Sequence, residues 1–139
     1  MSVATLDKQL CFALYSASSH LTSIYRPLLD PLDLTYTQFI VLMALWEKDE
    51  ISISLLAERT GLSKATMTPL LKRLEKKGLI TREVLADNER QKNIALTKSG
   101  RAISQQSLEI TNDVFCATGL TEEEAKGMIT LCQKLVCFD

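Results

Sequence analysis

The chain has one histidine, His20, and its four cysteines at 11, 116, 132 and 137 form no CxxC pair. A zinc site needs Cys and His clustered at close spacing, so no metal is expected, and no cofactor motif is read either. The cysteines are too sparse for the disulfide framework of a small secreted domain. No apolar run approaches the roughly 20 residues that span a bilayer, and no membrane association is expected. A basic stretch leading into a compact apolar core and cleavage site is missing from the start of the sequence. The expected setting is therefore a reducing cytoplasm, where disulfides tend to be transient and functional. Disordered and low-complexity tracts are lacking too. So is a strong net charge, since the sum is −1.

What is present is 139 residues, 46% hydrophobic and 24% charged, enough for one domain with a real core. The charge is unevenly placed. From Arg59 to Arg101, eleven Lys and Arg stand against four acids, while the remainder holds five basic and thirteen acidic residues. A segment this lopsided in a mildly acidic protein points to an electrostatic footprint for phosphates, against the plainer reading of a solvated basic face.

Punctuation residues divide the chain. A first helix is expected from about Thr5 to the late twenties, stopped by Pro27 and Pro31. Thr35 can cap a second, "YTQFIVLMALWEKD". "ISI" at 51–53 reads as a short extended element, after which Ser54 caps "LLAERT". Gly61 breaks the chain, Ser63 caps "KATMTPLLKRLEKK", and Gly78 closes it. A short helix, a glycine turn and a longer basic helix form a helix-turn-helix. Two β-rich runs, 79–85 and 93–97, then flank the polar turn "ADNERQK" and read as a hairpin, the wing of a winged helix-turn-helix. Thr97 starts a long helix through the 110s, and a capping box of Thr121 and Glu124 opens the last one. The fold class is mainly α with a small β wing. A single domain over 1–139 holds the winged module at about 35–100, between dimerisation helices at about 5–30 and 100–139. Ile103, Leu108, Ile110, Val114, Phe115, Met128, Ile129, Leu131, Cys132, Leu135 and Val136 give those ends more apolar surface than they need alone. They could fold back on the core. A homodimer is the expectation, because two reading heads roughly 34 Å apart gain affinity for a two-fold site on double-stranded DNA.

In the basic helix, Met67, Leu70, Leu71 and Leu74 share one face and must point to the core. That leaves Ala65, Thr68, Pro69, Lys72 and Lys76 outward, flanked by Thr66 and Arg73, with Ser63 and Lys64 at the start. Small residues let backbone approach base edges, hydroxyls can bond bases or phosphates, and lysines neutralise phosphate. Pro69, six positions past the cap, implies either a later start or a bend. Arg90 is expected at the hairpin tip, where an arginine can enter the narrow minor groove, with Lys92 on a phosphate.

The first helix carries a stripe of Leu6, Leu10, Ala13, Leu14, Ala17, Leu21 and Ile24. Cys11 lies just off it, and Tyr15, one turn on, can meet it. A free cysteine often behaves as a small hydrophobe, so packing is one reading and a reactive thiol the other.

These residues resemble a known family. The winged module with helical ends looks like the MarR group of bacterial transcriptional regulators. Within it, "QLCFALY", "SIYRPLLDPLDLTYTQFIVLMALWE" and "TMTPLLKRLEKKGLITR" are similar to the branch that senses organic hydroperoxides, usually called OhrR. The similarity covers residues 6–101 and, more loosely, the tail. It implies that Cys11 is the peroxide-reactive residue, with Tyr25 and Tyr36 hydrogen-bonding to it across a dimer interface. The chemistry is sound, since the thiolate is the nucleophile and phenol donors aimed at a sulfur favour its charged form. Phe12, Leu14 and nearby leucines would suit an organic tail. The branch also implies a two-cysteine scheme, in which Cys116 in "NDVFCATGL" resolves a Cys11 sulfenic acid, by hypothesis from the partner subunit. Cys132 and Cys137 are read as packing or tail residues. Two departures leave the operator sequence open. Ser63, Lys64 and Ala65 stand where relatives more often have an acid, a serine and a glycine, and Asn88 replaces an acid in the wing. The resulting expectation is a repressor that leaves operator DNA when an organic hydroperoxide oxidises Cys11. Its competitors are a repressor released by a small aromatic acid and a thiol peroxidase.

Overall fold

Helix α1 spans Leu10–Leu29, after a single 3-10 turn at Leu6–Lys8. The computed structural model describes the backbone of residues 2–85 and 88–136, and the side chains of 2–83 and 93–136. Pro27 does not stop α1, contrary to expectation. It removes one amide donor near the end of the helix, and the next turn is held by burial of Leu29, 1% exposed. The chain turns instead at a 3-10 segment, Asp30–Leu32, with Pro31 in its first turn.

Thr35 then caps α2, Tyr36–Glu47, in a full capping box. Its hydroxyl accepts from the Gln38 amide at 3.2 Å, and the Gln38 side chain accepts from the Thr35 amide at 3.2 Å. Strand β1 is Ile51–Ser52, and α3 follows directly as Ile53–Thr60. Its cap is Ser52 rather than Ser54, with the Ser52 hydroxyl 3.1 Å from the Leu55 amide. Sheet pairing ends at Ser52, so the helix begins two residues earlier than sequence suggests. Gly61 turns the chain at φ +73°, a conformation open to glycine at little cost.

Ser63 caps α4, Lys64–Lys76, through the Thr66 amide at 3.1 Å. The helix therefore starts at the cap and runs through Pro69. The proline leaves only the exposed Ala65 carbonyl without its helical donor, where water can serve. At its end Leu79 N–H bonds the Leu74 carbonyl and Gly78 N–H that of Glu75, a Schellman closure with Gly78 at φ +78°.

The wing is β2, Ile80–Leu85, antiparallel to β3, Asn88–Leu96, with β1 on the other side of β3. β3 begins earlier than the sequence pattern indicates. Val84 pairs with Lys92 but Leu85 with Asn88, so Glu89, Arg90 and Gln91 have no counterparts on β2. Arg90 accordingly belongs to a strand irregularity instead of the tip. The side chains of Arg90 and Lys92 lie outside the described residues, as do Ala86 and Asp87 entirely.

Thr97 caps α5, Lys98–Ala102, and the chain breaks at Ile103 before α6, Ser104–Thr118. The single long helix expected here is thus two. Ser104 and Ser107 hydroxyls each bond a carbonyl three residues back, competing with the helical ladder around the break. The Thr121–Glu124 box opens α7, Glu122–Val136, with bonds of 2.9 and 3.1 Å.

One core joins α2, α3, α4 and the wing. Phe39, Leu42, Leu45, Leu56, Met67, Leu71, Leu74 and Ile94 are fully buried within it, and α1 and α6 reach it through Leu29 and Ile110. The fold is mainly helical with a small antiparallel wing. Among the described residues, no single helix is long and apolar enough to cross a membrane.

Candidate functional site

The outer face of α4 is built by the inner one. Met67, Leu70, Leu71 and Leu74 are at most 5% exposed, which turns Ala65, Thr66, Thr68, Pro69, Lys72, Arg73 and Lys76 to solvent. Ser63 and Lys64 are exposed at the N-terminal end, which carries the positive end of the helix dipole. Thr68 and Ser63 hydroxyls are occupied locally, on the Lys64 carbonyl and on Thr66, and would have to exchange these bonds to reach a phosphate or base. Other basic residues of the module are held in ion pairs and hydrogen bonds within the chain. Lys77 donates to Gln38 Oε1 at 2.9 Å and to the Asp33 carbonyl. Arg82 donates to Glu75 at 2.9 and 3.2 Å, and Arg59 pairs with Glu47. The result is an exposed face of small residues and cations, backed by a buried apolar face and braced by these pairs.

A second support escaped the sequence reading. Asp49 Oδ1 accepts from the Leu96 and Glu50 amides at 2.9 and 2.8 Å, while its Oδ2 accepts from Arg101 at 3.0 Å. Trp46 Nε1 donates to the Gly100 carbonyl at 3.0 Å. Together these tie the wing and α5 to α2. Apart from the Glu50 bond, the partners are some fifty residues apart, and no local pattern announces them.

The thiol region is distributed. Cys11, Cys116 and Cys132 are free and exposed, and Tyr15 is 70% exposed. Cys137 lies outside the described residues. Tyr25 and Tyr36 are half-buried with ring centroids 4.6 Å apart, and Tyr25 also meets Phe39 at 5.9 Å. Burial pushes both phenols above the ordinary 10, and the neighbouring Tyr36 adds to the shift of Tyr25. Both stay protonated, as hydrogen-bond donors, at neutral pH. They line a cavity of about 520 Å³ whose other walls include Leu21, Phe115, Met128, Ile129 and Cys132. The structure does not bring Cys11 to them within one chain. Fourteen residues separate Cys11 from Tyr25 on α1, about 21 Å along a helix axis. The apolar stripe beside Cys11 is likewise uncovered, with Leu6 59% and Leu10 65% exposed. Among the described residues, no group of three His, Cys, Asp or Glu could hold a metal ion.

The MarR family profile matches residues 34–92, the winged module up to β3. The organic hydroperoxide resistance transcriptional regulator of Bacillus subtilis is 37% identical over 123 residues, 88% of this chain and 84% of that protein. The HTH-type transcriptional regulator SarZ of Staphylococcus aureus is 42% identical over 124 residues, with coverage of 89% and 84%. Among solved structures, overoxidized AbfR bound to DNA superposes with a TM-score of 0.75 at 33% identity, covering 94% of this chain and 92% of that one. With a winged module, a basic outer helix and relatives matched across nearly the whole chain, this protein belongs to the MarR family and is a DNA-binding transcriptional regulator, not an enzyme.

Proposed function

We propose that the protein is a homodimeric repressor that holds double-stranded operator DNA while Cys11 is reduced and releases it when an organic hydroperoxide oxidises that thiol. One observation carries the reading. Cys11 and the Tyr25–Tyr36 pair sit about 21 Å apart on one chain, each beside an uncovered apolar surface, so only a second copy can join them. In a two-fold pair, Cys11 of one subunit enters the tyrosine-lined cavity of the other, where two phenol donors stabilise the thiolate. The leucines and Phe115 around the cavity favour an apolar peroxide over hydrogen peroxide. The thiolate takes the distal peroxide oxygen and becomes a sulfenic acid, while the alcohol leaves. Condensation with Cys116 of the partner then expels water and forms a disulfide.

On DNA, Ser63, Lys64, Ala65, Thr66, Thr68, Pro69, Lys72 and Arg73 meet the major groove and its phosphates, with Arg90 and Lys92 of the wing alongside. Linking the subunits through their helical ends would shift the spacing of the two α4 helices away from one DNA turn. The name of one relative, the organic hydroperoxide resistance transcriptional regulator, supports an organic hydroperoxide as the oxidant.

Fluorescence anisotropy on promoter DNA, titrated with cumene hydroperoxide, tests the scheme. The parent should release DNA near one equivalent, Cys11→Ser should stay bound, and Cys116→Ser should report whether resolution matters. Release of Cys11→Ser as readily as the parent would sink it. A second reading has its own observation, a cavity of about 460 Å³ lined by Arg26, Ser18, Thr22, Thr35 and Thr37. A small aromatic acid could place its carboxylate there. That reading requires Cys11→Ser to retain a full response to the ligand.

A further inference from the structure

Cys132 stands in the wall of two cavities. On one side it shares the cavity of about 520 Å³ with Tyr25 and Tyr36. On the other it lines a groove of about 450 Å³ together with Leu10 and Leu14 of α1 and Leu131 and Leu135 of α7. Leu10 and Leu14 bracket Cys11 in the chain, one residue before it and three after. Cys132 is thus the residue common to the phenol cavity and the groove along the first turns of α1, where Cys11 is the residue next to Leu10. Cys116 is placed differently. Phe115 faces the phenol cavity, but Cys116 is about 100° further round α6, exposed and absent from that wall.

We propose that Cys132 is a second resolving thiol, which condenses with the Cys11 sulfenic acid in competition with Cys116. The inference rests on the reading of Cys11 as the peroxide-reactive residue. The steps balance with the organic hydroperoxide as sole oxidant. The Cys11 thiolate displaces alkoxide from the peroxide, forming S–O as O–O breaks, and the alkoxide takes up a proton to leave as alcohol. The Cys132 sulfur then attacks the sulfenic sulfur, forming S–S while the hydroxyl departs with a proton as water. A disulfide needs α-carbons within about 7 Å, a reach that partner Cys11 entering the phenol cavity or Cys11 closing across the Leu10–Leu14 groove would each approach from opposite sides of Cys132. Most of the lining on both sides is apolar, so a Cys11 seated in either place has Cys132 as its neighbouring thiol. Resolution through α7 also ties down a different helix from resolution through α6.

The test oxidises the full-length parent, Cys116→Ser, Cys132→Ser and Cys11→Ser proteins with about one equivalent of cumene hydroperoxide, in parallel with and without dimedone. Remaining thiols are alkylated, and disulfide-linked peptides are mapped by mass spectrometry beside a non-reducing gel. In Cys116→Ser, most Cys11 should be recovered in a linkage to the Cys132 peptide, and this linkage should vanish from Cys11→Ser. Migration at monomer or dimer mass tells which cavity delivers the Cys11 sulfur, and either supports the proposal. Cys11 of Cys116→Ser recovered as dimedone adduct or sulfinic acid, with no Cys132 linkage, overturns it while leaving the sensor reading intact. A parent whose Cys11 takes up neither dimedone nor a disulfide overturns both.

Discussion

Two phenols and one glycine show how single residues set the behaviour of this protein. Tyr25 and Tyr36 have folded-state pKa values raised above the unfolded value, because burial disfavours the phenolate. Their contribution to stability is therefore whole below the ordinary value of 10 and is lost as pH rises through the higher folded value. Thermal melts should hold steady from neutral pH to near 10 and fall beyond it, and Tyr25→Phe with Tyr36→Phe should blunt that fall. Gly100 answers to space instead. A β-carbon there would lie 2.1 Å from the Leu79 carbonyl oxygen, which is backbone and cannot yield. Gly100→Ala should cost about 3 kcal/mol or more by denaturant unfolding, at the upper end of overpacking substitutions. Neither the phenol pair nor this close approach is visible in local sequence, since Tyr25 and Tyr36 belong to different helices and Gly100 meets Leu79 from across the base of the wing.

At the scale of elements, α4 was the most legible part of the chain. Four apolar residues at helical spacing, with Ser63 before and Gly78 after, specify its limits and its buried face without help from the rest. Its exposed face gives a direct expectation. Lys72→Ala should weaken DNA binding about equally across sequences and reduce the logarithmic salt slope by about one. Binding isotherms at several salt concentrations on operator and unrelated DNA would read both. The joints between elements were less legible. Pro27 was tolerated, Ser52 capped where Ser54 was expected, and Ile103 broke a helix. In each case a tertiary contact or a competing hydrogen bond outweighed a local preference of about 1–3 kcal/mol. The wing depends on Asp49, whose carboxylate satisfies the Leu96 amide and Arg101. Asp49→Ala should lower stability by about 1–3 kcal/mol and, by freeing the wing's base, weaken DNA binding without altering α4. Differential scanning calorimetry paired with anisotropy would separate the two effects.

The whole molecule is defined by what one chain leaves uncovered. Leu6, Leu10, Leu108, Leu131, Leu135 and Val136 are each 47–73% exposed, all on the N- and C-terminal helices. So many exposed apolar side chains on the terminal helices mark an association site, and a second copy is the proposed occupant. Leu131→Glu with Leu135→Glu should shift sedimentation from dimer to monomer at micromolar concentration. DNA affinity should drop by orders of magnitude with it, because one reading head loses the gain of its linked twin. If the variant stays dimeric, the C-terminal helix is not part of the interface.

Helical periodicity, caps and glycine stops by themselves determined the recognition helix α4, its buried face and its basic outer face. Those features depend on residues within four positions of one another, the range over which backbone geometry acts. Only the tertiary structure decided which phenols pair, which cysteine faces their cavity and where the wing is clamped. These arise from residues brought together across tens of positions, and no local spacing encodes them. The same holds for the separation of Cys11 from Tyr25 and Tyr36: a straight helix holds apart, in one chain, groups that two chains can bring together.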